Sequence, residues 1–142
     1  MKKVPTVVIG TIGADAHTVG AWIMATALRR EGFKVVQLGS VVPQREFIEA
    51  AVESDADAIF VSSLYGMARI DCEGMRDKCI EAGLKDILLY IGGILITVPE
   101  EWEETKKVLD GMGFDRVYPP ETRPSAAIAD LKKDLERKGF SF

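Results

Sequence analysis

The chain has 142 residues, 47% of them hydrophobic, and a formal net charge of −4. This length and composition predict a single domain over residues 1–142 with its own apolar core. Positive and negative residues are interspersed, so no basic patch predicts binding to nucleic acid or to an anionic membrane surface. The apolar run at residues 7–10 is too short for a signal peptide, and no segment approaches the roughly 18–20 apolar residues of a membrane span.

The two cysteines, Cys72 and Cys79, are seven residues apart on a predicted helix. That spacing places them about 10 Å apart along the helix axis, which exceeds the separation that a disulfide tolerates. It also fits no short metal-ligand pattern. We therefore expect two reduced thiols and a cytoplasmic protein.

Apolar β-branched runs alternate with helical patterns along the whole chain. The runs cover residues 4–10, 34–39, 58–63, 87–91 and 115–118, and the helical patterns cover 18–31, 44–54, 71–82, 100–110 and 123–138. The runs are apolar on both faces, as is typical of parallel strands covered on both sides. Glycines at positions 32, 83 and 113 end helices shortly before the next strand. The alternation predicts a doubly wound α/β domain with a five-stranded parallel sheet, flavodoxin-like or Rossmann-like.

Ligands of such sheets bind beyond the carboxyl ends of the strands, so the residues after each strand are the candidates for function. The segment after the first strand contains Gly10 and Gly13 but no G-x-G-x-x-G pattern, and the second strand ends without an acidic residue. These two absences argue against NAD binding. Asp57 precedes the third strand instead of following it, which argues against a phosphoacceptor site.

His17 is the only histidine in the chain. One histidine cannot build a zinc or non-haem iron site, but it can complete a metal that a macrocycle already holds. Asp15 is placed to accept the other ring N–H and fix the tautomer. From these residues alone, His17 is either such an axial ligand or a polar residue near a helix N-terminus. Likewise Gly92-Gly93 forms either a slot for a ligand tail or a simple turn.

The spacing of three motifs carries a resemblance. Asp15-x-His17-x-x-Gly20, then 41 residues, Ser62-x-Leu64, then 27 residues, and Gly92-Gly93 resembles the base-off/His-on cobalamin-binding motif. Similarity to the small (S or sigma) subunit of glutamate mutase, also called methylaspartate mutase, extends over nearly the whole chain. Further matching segments are residues 61–66, 70–72, 78–79, 81–84 and 113–118.

The resemblance implies that His17 replaces the cofactor's own dimethylbenzimidazole on cobalt and that the displaced nucleotide tail enters a slot between the strands. The family usually has Asn after the glycine pair, whereas this chain has Ile94, so one polar side chain is missing there. His17 is the only metal ligand implied, and no further catalytic residue is implied on this chain. The implied cofactor-binding residues are Ala14, Asp15, Ala16, His17, Thr18, Gly20, Ser62, Ser63, Leu64, Gly92, Gly93, Ile94, Leu95, Ile96, Thr97, Val98 and Tyr118.

The same resemblance implies adenosylcobalamin as cofactor and a radical rearrangement that interconverts L-glutamate and L-threo-3-methylaspartate. It also implies a large TIM-barrel subunit that binds L-glutamate, assembled as two small plus two large subunits and required for activity. The chain itself offers no evident substrate clamp, because its helical arginines are expected to be solvent-exposed. These arginines are Arg29, Arg30, Arg76 and Arg137.

Three alternatives stay open at this point. The small subunit of an acyl-CoA mutase shares the cobalamin motif and the size. A corrinoid carrier for methyl transfer usually has an N-terminal helical cap, whereas here the first strand begins within four residues of Met1. A non-enzymatic α/β binding module without corrin is the third.

Overall fold

The structure, a computed structural model, describes residues 4–13, 19–63, 68–93, 101–119 and 122–142, with only the backbone described at Val19. The strands are β1 Thr6–Thr11, β2 Lys34–Gln37, β3 Ala58–Ser62, β4 Leu88–Gly92 and β5 Arg116–Val117. They form one parallel sheet in the order β2-β1-β3-β4-β5. The helices are α1 Val19–Arg30, α2 Gln44–Ser54, α3 Ala68–Asp71, α4 Met75–Glu81, α5 Trp102–Gly111 and α6 Pro124–Glu136. This topology confirms the predicted doubly wound α/β fold.

Two apolar cores lie on opposite faces of the sheet because successive strand residues point to opposite sides. On one face, α1 and α6 cover a core to which β4 contributes Leu88 and Tyr90. On the other face, α2, α3, α4 and α5 cover a core to which β4 contributes Leu89 and Ile91. The central strands β1, β3 and β4 thus supply both cores in turn, which explains why their sequences have no polar face.

Glycines end three helices as predicted. Gly32, Gly83 and Gly113 have φ values of +91°, +87° and +100°, in the left-handed region that glycine enters without steric cost.

Both cysteines are free and buried, as expected for reduced thiols. Burial, and then the charge of Asp71, raise the pKa of Cys72 to about 12. Burial also raises the pKa of Cys79, against the opposing effect of Arg76.

The prediction of one helix over residues 71–82 is wrong. The short helix α3 ends at Asp71, a turn follows, and α4 begins at Met75. Gly74 in this turn has a φ of +75°, and the side-chain amide of Gln44 donates hydrogen bonds to the carbonyls of Asp71 and Glu73 at 2.6 and 2.9 Å. Cys72 therefore lies in a turn and only Cys79 lies on a helix.

Arg76 is not solvent-exposed, contrary to expectation. Only 17% of its side chain is accessible, and its guanidinium donates hydrogen bonds to the carbonyls of Gly113 and Ile87 and to Asp115 at 2.8–3.0 Å. These hydrogen bonds hold α4 against the segments that precede β4 and β5. Arg29, Arg30 and Arg137 are exposed as expected. In the described part of the chain, no helix has the length and apolar character needed to cross a membrane.

Candidate cofactor-binding site

Side chains on the α1/α6 face of the sheet change from bulky to small toward the carboxyl ends of the central strands. The strands pair in register, so each row of side chains crosses β1, β3 and β4 at one level. The last bulky row is Ile9, Phe60 and Tyr90, and the next row on the same face is Thr11, Ser62 and Gly92. This step in side-chain size leaves space between the sheet and the two helices.

A cavity of about 360 Å³ occupies that space. Its volume falls within the range of small-molecule sites, roughly 300–1,000 Å³. The lining is mostly apolar, with small residues such as Ala21 and Ala127 on the helices and the rings of Phe60 and Tyr90 on the strands. The hydroxyl of Ser62 adds one hydrogen-bonding group. The cavity therefore suits a flat, largely apolar ligand group.

The structure brings part of the predicted site together at this cavity. The cavity is lined by Gly20 of α1, Ser62 of β3, Gly92 of β4, Gly93 directly after β4 and Tyr118 after β5. The close association of residues so distant in sequence is what the predicted slot requires.

Other predicted site residues are placed elsewhere or lie outside the described part of the chain. Ser63 is buried and does not line the cavity; its backbone N–H donates to the Gly92 carbonyl at 3.0 Å. The residues outside the described ranges are Ala14, Asp15, Ala16, His17, Thr18, Leu64, Ile94, Leu95, Ile96, Thr97 and Val98. Along the chain, the segment with Asp15 and His17 connects Gly13, beyond β1, to α1, whose first turn contains Gly20.

The two glycines of the pair differ in what they leave room for. Gly93 has a φ of +102°, and a Cβ on it would lie 2.4 Å from the carbonyl oxygen of Ser63. A Cβ on Gly92 would meet only the Cβ of Tyr118, at 3.5 Å, which is ordinary contact. Gly93 is thus required by a tight backbone approach, whereas Gly92 keeps the cavity open. The turn interpretation therefore fits Gly93, whereas a slot for a ligand tail at Gly92 stays a prediction.

A polar network beside the cavity was missed by the sequence reasoning. The hydroxyl of Tyr118 donates to Asp130 at 2.8 Å, and the hydroxyl of Tyr90 donates to Asp134. Arg116 donates to both carboxylate oxygens of Asp134 at 2.9 and 3.1 Å. The only available signal was the spacing of Asp130 and Asp134, which places them on one face of the last predicted helix.

The ionisation of this network follows from its contacts. Burial raises the pKa of Asp134, but the hydrogen bonds from Arg116 and Tyr90 outweigh that effect, so its pKa lies below the ordinary value. Burial, and then the hydrogen bonds to the carboxylates, raise the pKa of Tyr90 and of Tyr118. At neutral pH both tyrosines are therefore neutral donors and Asp134 is a charged acceptor.

Comparison with known proteins assigns the chain to a family. The family model described as the B12 binding domain matches residues 5–129, which include the strands and helices that form the cavity. The chain belongs to the B12-binding domain family.

Within that family, similarity is strong to the sigma subunits of glutamate mutase. The chain is 52% identical over 130 residues to the glutamate mutase sigma subunit of Clostridium cochlearium, covering 92% of this chain and 95% of that protein. It is 53% identical over 130 residues to that of Fusobacterium nucleatum, covering 92% and 96% of the two chains. These matches confirm the resemblance that the motif spacing indicated.

A solved structure supports the fold alone. The crystal structure of a cobalamin-binding protein from Desulfitobacterium hafniense superposes with a TM-score of 0.76 at 23% identity. The match covers 93% of this chain and 60% of that one.

Proposed function

We propose that this protein is the cobalamin-binding small subunit of an adenosylcobalamin-dependent glutamate mutase, an isomerase that interconverts L-glutamate and L-threo-3-methylaspartate. The observation that carries the proposal is the apolar cavity where Gly20, Ser62 and Gly92 meet. These three residues belong to the three separate parts of the cobalamin motif. Membership of the B12-binding family and about 50% identity to glutamate mutase sigma subunits support it further.

In this proposal the chain holds the cofactor at two points. His17 would hold the cobalt through its imidazole, and Asp15 would accept the other ring N–H and so orient the ring. The cavity receives the nucleotide tail, with Ser62 as its hydrogen-bonding group and the rings of Phe60 and Tyr118 as flat apolar walls. When bound, adenosylcobalamin supplies the radical chemistry, and the protein supplies binding and orientation.

The substrate requires a second subunit. Among the described residues, no arginine or lysine lines the cavity, and Arg116 is engaged by Asp134. A dicarboxylate such as L-glutamate therefore finds no cationic clamp in this part of the chain. We propose that a larger TIM-barrel subunit binds L-glutamate at its barrel mouth, above the cofactor, in a heterotetramer of two small and two large subunits. We expect the assembly in the cytoplasm, where thiols such as Cys72 and Cys79 stay reduced.

The cobalt ligand is tested by electron paramagnetic resonance of the cob(II)alamin complex. Because His17 is the only histidine, growth with ¹⁵N-labelled histidine labels a single residue. Replacing ¹⁴N by ¹⁵N on cobalt should change the nitrogen hyperfine splitting, and His17→Gly should remove the isotope effect and weaken binding. Identical splitting in labelled and unlabelled protein would contradict the assignment of His17.

The assembly is tested by activity. The chain with adenosylcobalamin should form no 3-methylaspartate from glutamate, and activity should appear when a large mutase subunit is added. Turnover by the small chain alone would overturn the division of labour. Turnover of an acyl-CoA but not of glutamate, each assayed with the matching large subunit, would favour an acyl-CoA mutase instead.

A further inference from the structure

Two tyrosines that line the cavity donate hydrogen bonds to carboxylates of α6, on the side away from the cavity. Tyr90 and Tyr118 both line the cavity, and their rings meet edge to face with centroids 5.9 Å apart. The Tyr118 hydroxyl donates to Asp130 at 2.8 Å, and the Tyr90 hydroxyl donates to Asp134. Neither carboxylate lines the cavity. The rings are thus presented to the ligand space while their hydroxyls are bonded to α6.

Arg116 bridges these two carboxylates and holds them close together. Asp130 and Asp134 are one helical turn apart on α6 and would repel each other. The guanidinium of Arg116 lies between them, 2.9 Å from Asp134 and 3.7 Å from Asp130. This arrangement offsets the repulsion and fixes the position of both acceptors.

The two tyrosines differ in how firmly the rest of the protein holds them. Tyr90 is only 1% exposed and stacks on Phe60 at 5.0 Å, so packing alone restrains it. Tyr118 is half-buried, lies just after the two-residue strand β5, and faces Gly92, which has no side chain to restrain its ring. Tyr118 packs only at the edge of the apolar core, so among the described contacts of its ring, the edge-to-face contact with Tyr90 and the hydrogen bond to Asp130 are the specific ones that position it.

We propose that Asp130 is a positioning residue for the nucleotide tail of the cofactor. By holding the Tyr118 hydroxyl on α6, it keeps the ring of Tyr118 out of the space beside Gly92. The inference rests on the proposed function, because it assumes that the tail occupies this cavity. It assigns to α6, which lies outside every predicted motif, a role in selecting corrinoids that carry a tail.

The test compares cobalamin with cobinamide, which lacks the nucleotide tail, by absorbance titration of the protein. Loss of one hydrogen bond to a charged acceptor in Asp130→Ala should raise the Kd for cobalamin about tenfold and leave the Kd for cobinamide unchanged. Tyr118→Phe should have a similar effect, and the double variant should be no worse than either single one, because both remove the same interaction. Asp130→Asn, which keeps an acceptor, should be milder.

Asp110→Ala is the matched control. Asp110 bonds to Lys106 at 2.9 Å on α5, on the opposite face of the sheet, and its loss should change neither Kd. Equal weakening of both corrinoids in Asp130→Ala and Tyr118→Phe would show a purely structural role and overturn the inference, as would unchanged cobalamin binding. Failure of the wild-type protein to bind either corrinoid would overturn the proposed function and the inference with it.

Discussion

The two faces of the sheet differ in how completely side chains fill them. On the face covered by α2, α3, α4 and α5, residues such as Ile59, Leu89 and Leu109 are fully buried in a continuous apolar core. On the face covered by α1 and α6, the core reaches only the row that ends at Tyr90, and the cavity begins beyond it.

The same strands supply both faces, so the difference comes from side-chain size and not from the backbone. Ser62 and Gly92 face the cavity, while their chain neighbours Val61 and Ile91 belong to the filled core on the other side. A few residues at the carboxyl ends of the strands thus give one sheet a filled face, which serves stability, and a face with a cavity for the proposed ligand, here called the ligand face.

A truncation on the filled face should have the largest effect, and it should be on stability alone. Leu89 is fully buried, so Leu89→Ala should lower the free energy of unfolding by about 2–5 kcal/mol. Urea denaturation measures this loss. At a temperature where the variant is folded, its ratio of cobalamin to cobinamide affinity should match that of the wild type; a changed ratio would mean that the two faces are coupled.

A bulky residue on the ligand face should weaken cobalamin binding and leave stability nearly unchanged. Gly92→Leu places a side chain into the cavity without a backbone clash, so the affinity for cobalamin should fall about 100-fold, or ~2.7 kcal/mol, with cobinamide binding and stability nearly unchanged. Absorbance titration measures both ligands. Gly93→Ala is the contrasting variant, because its Cβ would meet the Ser63 carbonyl at 2.4 Å; it should lose stability and both ligands together. Tight cobalamin binding by Gly92→Leu would show that the tail lies elsewhere.

The hydrogen bonds of Asp134 with Tyr90 and Arg116 on the ligand face should make the free energy of unfolding fall at acidic pH. Because the pKa of Asp134 is lower in the folded than in the unfolded state, its stabilising contribution is complete above its ordinary pKa of 3.8 and is lost as pH falls through the folded-state pKa. Asp134→Asn should lower the free energy of unfolding by about 1–3 kcal/mol at pH 7 and flatten its decline below pH 3.8. Asp110→Asn, in an exposed ion pair, should change little. An equally steep acid decline in Asp134→Asn would contradict the assignment.

The smallest effect is expected when the folded protein is treated with a thiol reagent, because both cysteines lie on the filled face. Cys72 is fully buried, and its pKa is raised to about 12, so almost no reactive thiolate is present at pH 8. Iodoacetamide should leave Cys72 and Cys79 unmodified in the folded protein and alkylate both in denaturant, as mass spectrometry would show. Rapid alkylation of the native protein would mean that the filled face opens locally.

Features that depend on residues close together in the chain could be predicted from the sequence, whereas features that depend on contacts between distant residues could not. The strands and most helices follow from local periodicity, and strand alternation correctly brings Ser62 and Gly92 to one edge. The break between α3 and α4 could not be foreseen, because it depends on hydrogen bonds from Gln44 to backbone carbonyls 27 and 29 residues away. The burial of Arg76 could not be foreseen for the same reason, since its partners Gly113 and Asp115 are 37 and 39 residues away.

The candidate site shows the same limit. Tyr118 entered the site through family resemblance, but its bond to Asp130 depends on how closely α6 packs against β5, which no local pattern encodes. The size of the cavity likewise depends on the positions of α1 and α6 over the sheet. The roles of Asp15, His17 and the segment 94–98 stay predictions, because these residues lie outside the described ranges.

The pairing of Ser62 with Gly92 also limits how the length of this chain can vary during evolution. A one-residue insertion or deletion within β3 or β4 would exchange the two faces and turn Val61 or Ile91 into the cavity, closing it even though the composition hardly changed. Exposed turn positions such as residues 85–86, between α4 and β4, can be lengthened or shortened without altering which residue reaches the cavity. Functional homologues should therefore differ in turn length while the number of residues from Phe60 to Ser62 and from Tyr90 to Gly92 stays constant.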